Sequence, residues 1–390
     1  MDTILNLVAL AALPVLCWIA FKSIPGLSPA FLGPDSNRSG ELDGLRGVLA
    51  LLILMHHCVI MRAYRATGIY VAPPGDFDNL AGTASVALFF VSSAYLLWGR
   101  VLRSGGVLNW PQFYASRLRR LGPMYVAAVT FLVLIVLVES GFRLRVSLGD
   151  LLVSIGQWLG FGFFPMSDIN ALHDTYYIQV VLWTLKYEWQ LYLGLPLMAL
   201  CTSGLRPWLL YGFALVASFG TGGDPLYAYF VAGAVAAHLR HHPTLIPFAA
   251  RTWAWIGVVA LATLAYSFRD VYGLVQVALL LLVFLGATSG AGPWALLRWS
   301  ALRFLGVISY SIYLLHHMVL HLFSQWVFDA DVFARLLGWQ FGGVILLIGF
   351  VTIILAATTY WLIERPWLES ARVRVKRAGD LSAVENGSRL

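Results

Sequence analysis

The stretch Gly44-Leu45-Arg46-Gly47-Val48-Leu49-Ala50-Leu51-Leu52-Ile53-Leu54-Met55-His56-His57-Cys58-Val59-Ile60-Met61-Arg62-Ala63 decides the fold of this chain. Its centre is wholly apolar, and as a helix rising about 1.5 Å per residue it reaches across the roughly 30 Å hydrocarbon core of a bilayer. Comparable runs recur near 4–21, 80–98, 122–139, 179–201, 207–221, 224–239, 252–268, 271–288, 303–324 and 341–363. The reading is an all-α integral membrane protein, a polytopic helical bundle of about 11 transmembrane helices. With 59% hydrophobic and 12% charged residues, no sizeable soluble domain fits. The run 148–164 is also apolar, but it is rich in Gly and Phe, and counting it would invert every later span; it reads as interfacial or re-entrant.

The net charge of +7 invites a nucleic-acid reading, yet Arg and Lys sit in short clusters between apolar runs, where they set topology. One side receives Lys22, Arg38 and Arg46, then Arg100, Arg103, Arg117, Arg119 and Arg120, then Arg206, Arg240, Arg251, Arg298 and Arg303, and finally Arg365, Arg372, Arg374, Lys376 and Arg377. Arg62, Arg65, Arg143, Arg145 and Arg269 fall on the other. The bias places the N-terminus outside and the C-terminus in the cytoplasm of a multi-pass membrane protein. Residues 4–21 follow Met-Asp-Thr with no basic n-region and no evident cleavage site, so this segment is expected to stay attached. The chain divides into 1–40, an N-terminal span and linker; 41–367, the membrane domain; and 368–390, a basic tail expected to be disordered and to touch anionic lipid. Cys17, Cys58 and Cys201 lie in apolar runs without ligand spacing, so neither a metal site nor a disulfide framework is expected.

Ionisable side chains at bilayer depth cost roughly 2.5 to 3.5 kcal/mol each on insertion scales, and two stand out, His57 and Glu188. Arg46 and His57 are eleven residues apart, so on one helix they share a face about 16 Å apart, while His56 points roughly 80° away. A basic residue at a helix N-terminus, just after a plausible cap at Asp43, suits an anion; an imidazole three turns deeper suits proton transfer. Glu188 turns away from Lys186 and Gln190 on its helix and needs a partner on another one. Arg117 and Arg120 face the same way at the mouth of the next span, as a phosphate clamp would. Each has a plainer reading: the arginines as topology anchors, His57 as a packed polar residue, Glu188 as half of a structural ion pair.

The strings carrying these residues resemble the acyltransferase-3 family of membrane acyltransferases, which most often O-acetylate cell-surface and secreted glycans. Asp43-Gly44-Leu45-Arg46-Gly47 followed by His57 resembles its Arg-x10-His signature. Phe89-Phe90-Val91-Ser92-Ser93-Ala94-Tyr95-Leu96 is similar to Phe-Phe-Val-x-Ser-Gly-Phe-Leu, with Ala94 in place of Gly. Arg117 to Pro123 resembles Arg-x-x-Arg-x-x-Pro, and Trp183-Thr184-Leu185-Lys186-Tyr187-Glu188-Trp189-Gln190-Leu191-Tyr192 resembles Trp-Ser-Leu-x-x-Glu-x-Gln-Phe-Tyr, with Trp189 where a second Glu is frequent. Ser309-Tyr310-Ser311-Ile312-Tyr313-Leu314-Leu315-His316 and Glu364-Arg365-Pro366 are similar to the closing strings, although Met318 replaces a usual proline.

The resemblance implies a ten-helix core preceded here by one extra helix, acyl coenzyme A (acetyl-CoA first) as donor substrate, no permanently bound cofactor, and a glycan, a lipid-linked precursor or another hydroxyl-bearing acceptor. It casts His57 and Glu188 as catalytic and Arg46, Arg117 and Arg120 as donor-binding. Ser93, Trp183, Gln190, Tyr192, Tyr313 and His316 become substrate-binding or structural. No SGNH-type hydrolase domain follows, so transfer is expected within the membrane domain or by hand-over to another protein. Glu188 is the expected orienting partner of His57. Two rivals stand beside this reading: a transporter or flippase of a glycan or lipid intermediate, which would also bury Arg, His and Glu but for which no internal repeat is seen, and a non-catalytic partner of an export complex.

Overall fold

The computed structural model describes residues 2–23, 31–32, 39–72, 77–242, 249–268 and 270–369. Arg38, Arg269 and the basic tail from residue 370 onward lie outside them. Among the described residues there is no strand. The long helices in chain order are α1 (Asp2–Ser23), α2 (Gly40–Thr67), α3 (Phe77–Arg103), α4 (Trp110–Glu139), α5 (Leu148–Trp158), α6 (Trp183–Met198), α7 (Arg206–Phe219), α8 (Tyr227–His241), α9 (Ala250–Ser267), α10 (Leu274–Ser289), α11 (Ser300–Val307), α12 (Ser309–Leu322), α13 (Ala330–Arg335) and α14 (Gly338–Thr359). The chain is an all-α polytopic membrane protein. Helices α1 to α4 and α14 with its continuation to Glu369 are long and apolar enough to cross a bilayer, and two bent pairs raise this to seven.

A helix occupies every sequence-derived span, but not always as a straight one. The expected span 303–324 is broken into α11 and α12 by a 73° bend, because Ile308 (φ −94°, ψ 8°) leaves the helical region. This bend lies ten residues before Met318, where the family string has its proline. Helices α7 and α8 run only 14 and 15 residues, short of the roughly 20 a perpendicular span requires, since Gly204 and Gly222 turn the chain at positive φ around them. The run 148–164 contains the 11-residue α5, far too short to cross, with Leu148, Leu152 and Val153 exposed while Leu151 and Trp158 are buried. Asp43 is not the cap of α2: the helix starts a turn earlier behind Ser39, and Asp43 is buried inside it.

Helix α2 is the axis of the bundle, packed against α3, α11 and α12. The reason is visible in its first turns. A Cβ on Gly44 or Gly47 would strike the backbone carbonyls of Leu297 and Leu302, and one on Gly306 would strike the backbone of Asp43, so these positions let two helices approach backbone to backbone. The same device joins α3 to α8. A Cβ on Gly233 would come within 2.8 Å of the Ala94 methyl, so the glycine the family string has at position 94 is met here by a glycine on the facing helix. Helix α1 seats on α14, where Leu13 fills the notch at Gly349.

Candidate active site

Helix α4 opens with a strong start signal. Asn109 accepts from the Gln112 N–H at 3.0 Å and Pro111 occupies the first turn, which sets Arg117 and Arg120 on the second and third turns. They meet Arg46 of α2, Ser93 of α3, and Glu188 and Tyr192 of α6 around one cavity of about 130 Å³, whose remaining wall includes Ser309, Tyr310 and Tyr313 of α12. The tyrosines fasten this wall: Tyr310 donates to the Leu121 carbonyl at 2.9 Å, and Tyr313 donates to the Val181 carbonyl at 2.9 Å and lies 2.7 Å from the Thr184 hydroxyl.

Three guanidinium groups against one lining carboxylate make the cavity electropositive, and the apolar surroundings strengthen such charges relative to open water. Arg46 lies over the Phe89 ring at 6.0 Å and Arg117 over the Phe113 ring at 5.6 Å, which steadies both side chains at the cavity wall. Glu188 accepts from the Tyr192 hydroxyl one turn on and lines the cavity beside Arg117 of α4, whose charge it offsets. Glu364, buried in the π-helical turn Tyr360–Glu364 that follows α14, accepts from Ser311 and feels the charges of Arg120 and Arg46.

A second polar group adjoins this cavity, with the Tyr313 ring 6.0 Å from that of His316. The His57 ring lies 5.3 Å from the His316 ring and 5.0 Å from the His317 ring, and it retains accessible surface where His316 and His317 have none to speak of. Its Nδ1 is 3.0 Å from the Tyr70 hydroxyl, so Tyr70, not Glu188, is the orienting partner of that nitrogen. Tyr70 in turn is 2.6 Å from Nε2 of His317, whose Nδ1 is 3.2 Å from the Ile178 carbonyl. Burial holds the Tyr70 phenol well above its ordinary pKa, so it stays a neutral hydroxyl with one hydrogen to give. His56 is spent elsewhere: its Nδ1 is 3.1 Å from the Asp78 carbonyl and its ring packs against Gly82.

Of the candidate residues, the fold thus gathers Arg46, Ser93, Arg117, Arg120, Glu188, Tyr192 and Tyr313 in one cavity and His57 with His316 beside it. Trp183 and Gln190 are not brought in; Trp183 packs edge-on to Tyr187 and Gln190 accepts from Tyr227 of α8 at 2.7 Å. Tyr70 and His317 escape the sequence reading. The only linear hint is that His316-His317 repeats the His56-His57 doublet on a second apolar helix. Among the described residues no group of His, Cys, Asp or Glu is placed to hold a metal ion.

The model of the acyltransferase-3 family, described as an acyltransferase domain, matches residues 39–361. Nodulation protein 10 of Rhizobium leguminosarum bv. viciae is 24% identical over 210 residues, which is 51% of this chain and 55% of that protein. The chain therefore spans about half the length of this curated relative. No solved structure matches.

Proposed function

The chain belongs to the acyltransferase-3 family, and from that membership we propose that it transfers an acyl group, acetyl before others, from cytoplasmic acyl coenzyme A to a hydroxyl of a cell-surface or secreted glycan or its lipid-linked precursor. Membership of an acyltransferase family leaves the transporter and the non-catalytic partner without an observation in their favour. The observation that supports the donor is the cavity joining Arg46, Arg117 and Arg120 from two helices, since guanidinium forks recognise phosphate oxygens in pairs. The positive-inside bias puts these arginines on the cytoplasmic side, with the N-terminus outside and the C-terminus within, in a bacterial inner membrane. The helix of residues 2–23 stands before the family core, and residues 41–367 carry the reaction.

In this reading the phosphates rest on the arginines and the pantetheine arm runs along α2, the helix that carries both Arg46 and His57. Nε2 of His57 takes the proton of the acceptor hydroxyl as its oxygen attacks the thioester carbonyl. The C–O bond forms, the C–S bond breaks, and the departing thiolate takes the proton back from the imidazolium. Glu188 keeps Arg117 and Tyr192 in place at the donor end. The test is coenzyme A release from acetyl coenzyme A by the purified protein, with and without a host glycan fraction. We expect release that rises with glycan and falls by about 10²-fold or more in His57→Ala. Well-folded wild-type protein that releases none from any acyl donor refutes the proposal.

A further inference from the structure

We propose that Tyr70 and His317 are positioning residues that hold His57 in its Nδ1–H tautomer, so that Nε2 carries the lone pair that receives the acceptor's proton. This rests on the reading of His57 as the base. One chain of contacts fixes where each hydrogen sits. Ile178 offers a carbonyl, which only accepts, so Nδ1 of His317 at 3.2 Å carries the hydrogen. With both rings neutral, Nε2 of His317 is then an acceptor, and the Tyr70 hydroxyl at 2.6 Å donates to it. Tyr70 has spent its single hydrogen, so Nδ1 of His57 at 3.0 Å donates to the Tyr70 oxygen. The remaining nitrogen of His57 is bare. The orientation of one imidazole is thus decided by a carbonyl three groups away.

The chain of contacts is anchored at each member. Helix α2 ends at Thr67 because Gly68 takes the left-handed conformation (φ 72°) and caps Tyr64, which turns the chain back and brings Tyr70 beside His57. The Tyr70 ring stacks on Tyr177 at 4.8 Å and 15°, so it has no freedom to swing away. His317 is fully buried in α12, and Ile178 belongs to the 3-10 turn Thr175–Ile178 that leads toward α6. Four separate segments therefore converge on the tautomer of one residue, which is more order than packing alone demands. His316 completes the picture: its Nδ1 lies 3.0 Å from the Ile312 carbonyl, and its buried Nε2 has no partner.

The decisive experiment reads the tautomer directly, by nitrogen-15 NMR of histidine-labelled full-length protein in lipid nanodiscs, with the His57 signals assigned by their loss in His57→Gln. Wild type should show Nδ1 of His57 protonated and Nε2 bare. In His317→Leu the Tyr70 hydrogen has no acceptor but His57, so the two nitrogens should exchange roles, whereas His317→Gln supplies an amide oxygen and should keep the wild-type pattern. Turnover should follow: Tyr70→Phe and His317→Leu lower kcat by about 10- to 100-fold with the KM for acetyl coenzyme A unchanged, and His317→Gln restores most of it. Wild-type His57 protonated on Nε2, or Tyr70→Phe turning over at the wild-type rate, overturns the relay. If His57→Ala is dead and Tyr70→Phe is fully active, the relay alone fails; if His57→Ala keeps transfer, the base assignment fails and the relay with it.

Discussion

Replacing Arg117 tests whether the electropositive cavity binds the proposed donor. In the proposed function a donor phosphate rests on Arg117, which lines the cavity with Arg46 and Arg120. A hydrogen bond to a charged group is worth about 1.5 to 3 kcal/mol. Converted at about 1.4 kcal/mol per tenfold, Arg117→Ala should raise the KM for acetyl coenzyme A by roughly 10- to 150-fold. Part of that rise is indirect, because Glu188 and Tyr192 lose the cation beside them. Arg117→Lys separates the two contributions: a lysine keeps the charge near Glu188 but offers a point charge in place of a planar fork, so its KM should fall between those of wild type and alanine. The assay is initial-rate kinetics in detergent over a range of donor concentration and salt, with thermal unfolding as a check on folding. An alanine variant that unfolds at the wild-type temperature and has an unchanged KM refutes the donor-cavity reasoning and returns Arg117 to the role of a topology anchor.

Three further expectations follow from packing and polar pairing. Gly233→Leu drives a side chain into Val91 and Ala94 of α3 and should lower stability by about 1 to 3 kcal/mol, read as a drop in unfolding temperature of the detergent-solubilised protein; an unchanged temperature would mean that α3 and α8 are not held at this distance. Ser311→Ala strips the buried Glu364 of its hydroxyl donor and should cost about 1 to 3 kcal/mol by the same measurement, more than the removal of an exposed hydroxyl such as that of Thr358. Gln190→Ala removes the acceptor of Tyr227 at a cost of about 1 kcal/mol. Its KM for acetyl coenzyme A should not move, and a large rise would put Gln190 in the donor site after all.

The membrane fold and most of the residues that line the cavity are legible in the chain because both are carried by short-range signals. An apolar run of span length needs no partner to be recognised, since the lipid itself is its solvent. The eleven-residue interval between Arg46 and His57 states their common face because α2 is one unbroken helix. The role of Gly44 and Gly47 in a close backbone approach came only from the folded chain. Tertiary structure alone decided the rest. The bend at Ile308, the turn at Gly68 that returns Tyr70, and the crossing of α12 over α2 bring together residues separated by 247 positions. Helical periodicity says which way a side chain points on its own cylinder, not what stands opposite it. For that reason Glu188 and His57, both conspicuous in the sequence, were free to be paired on paper. In the folded bundle Glu188 shares the cavity with the arginines, and Nδ1 of His57 meets the Tyr70 hydroxyl, which in turn meets Nε2 of His317.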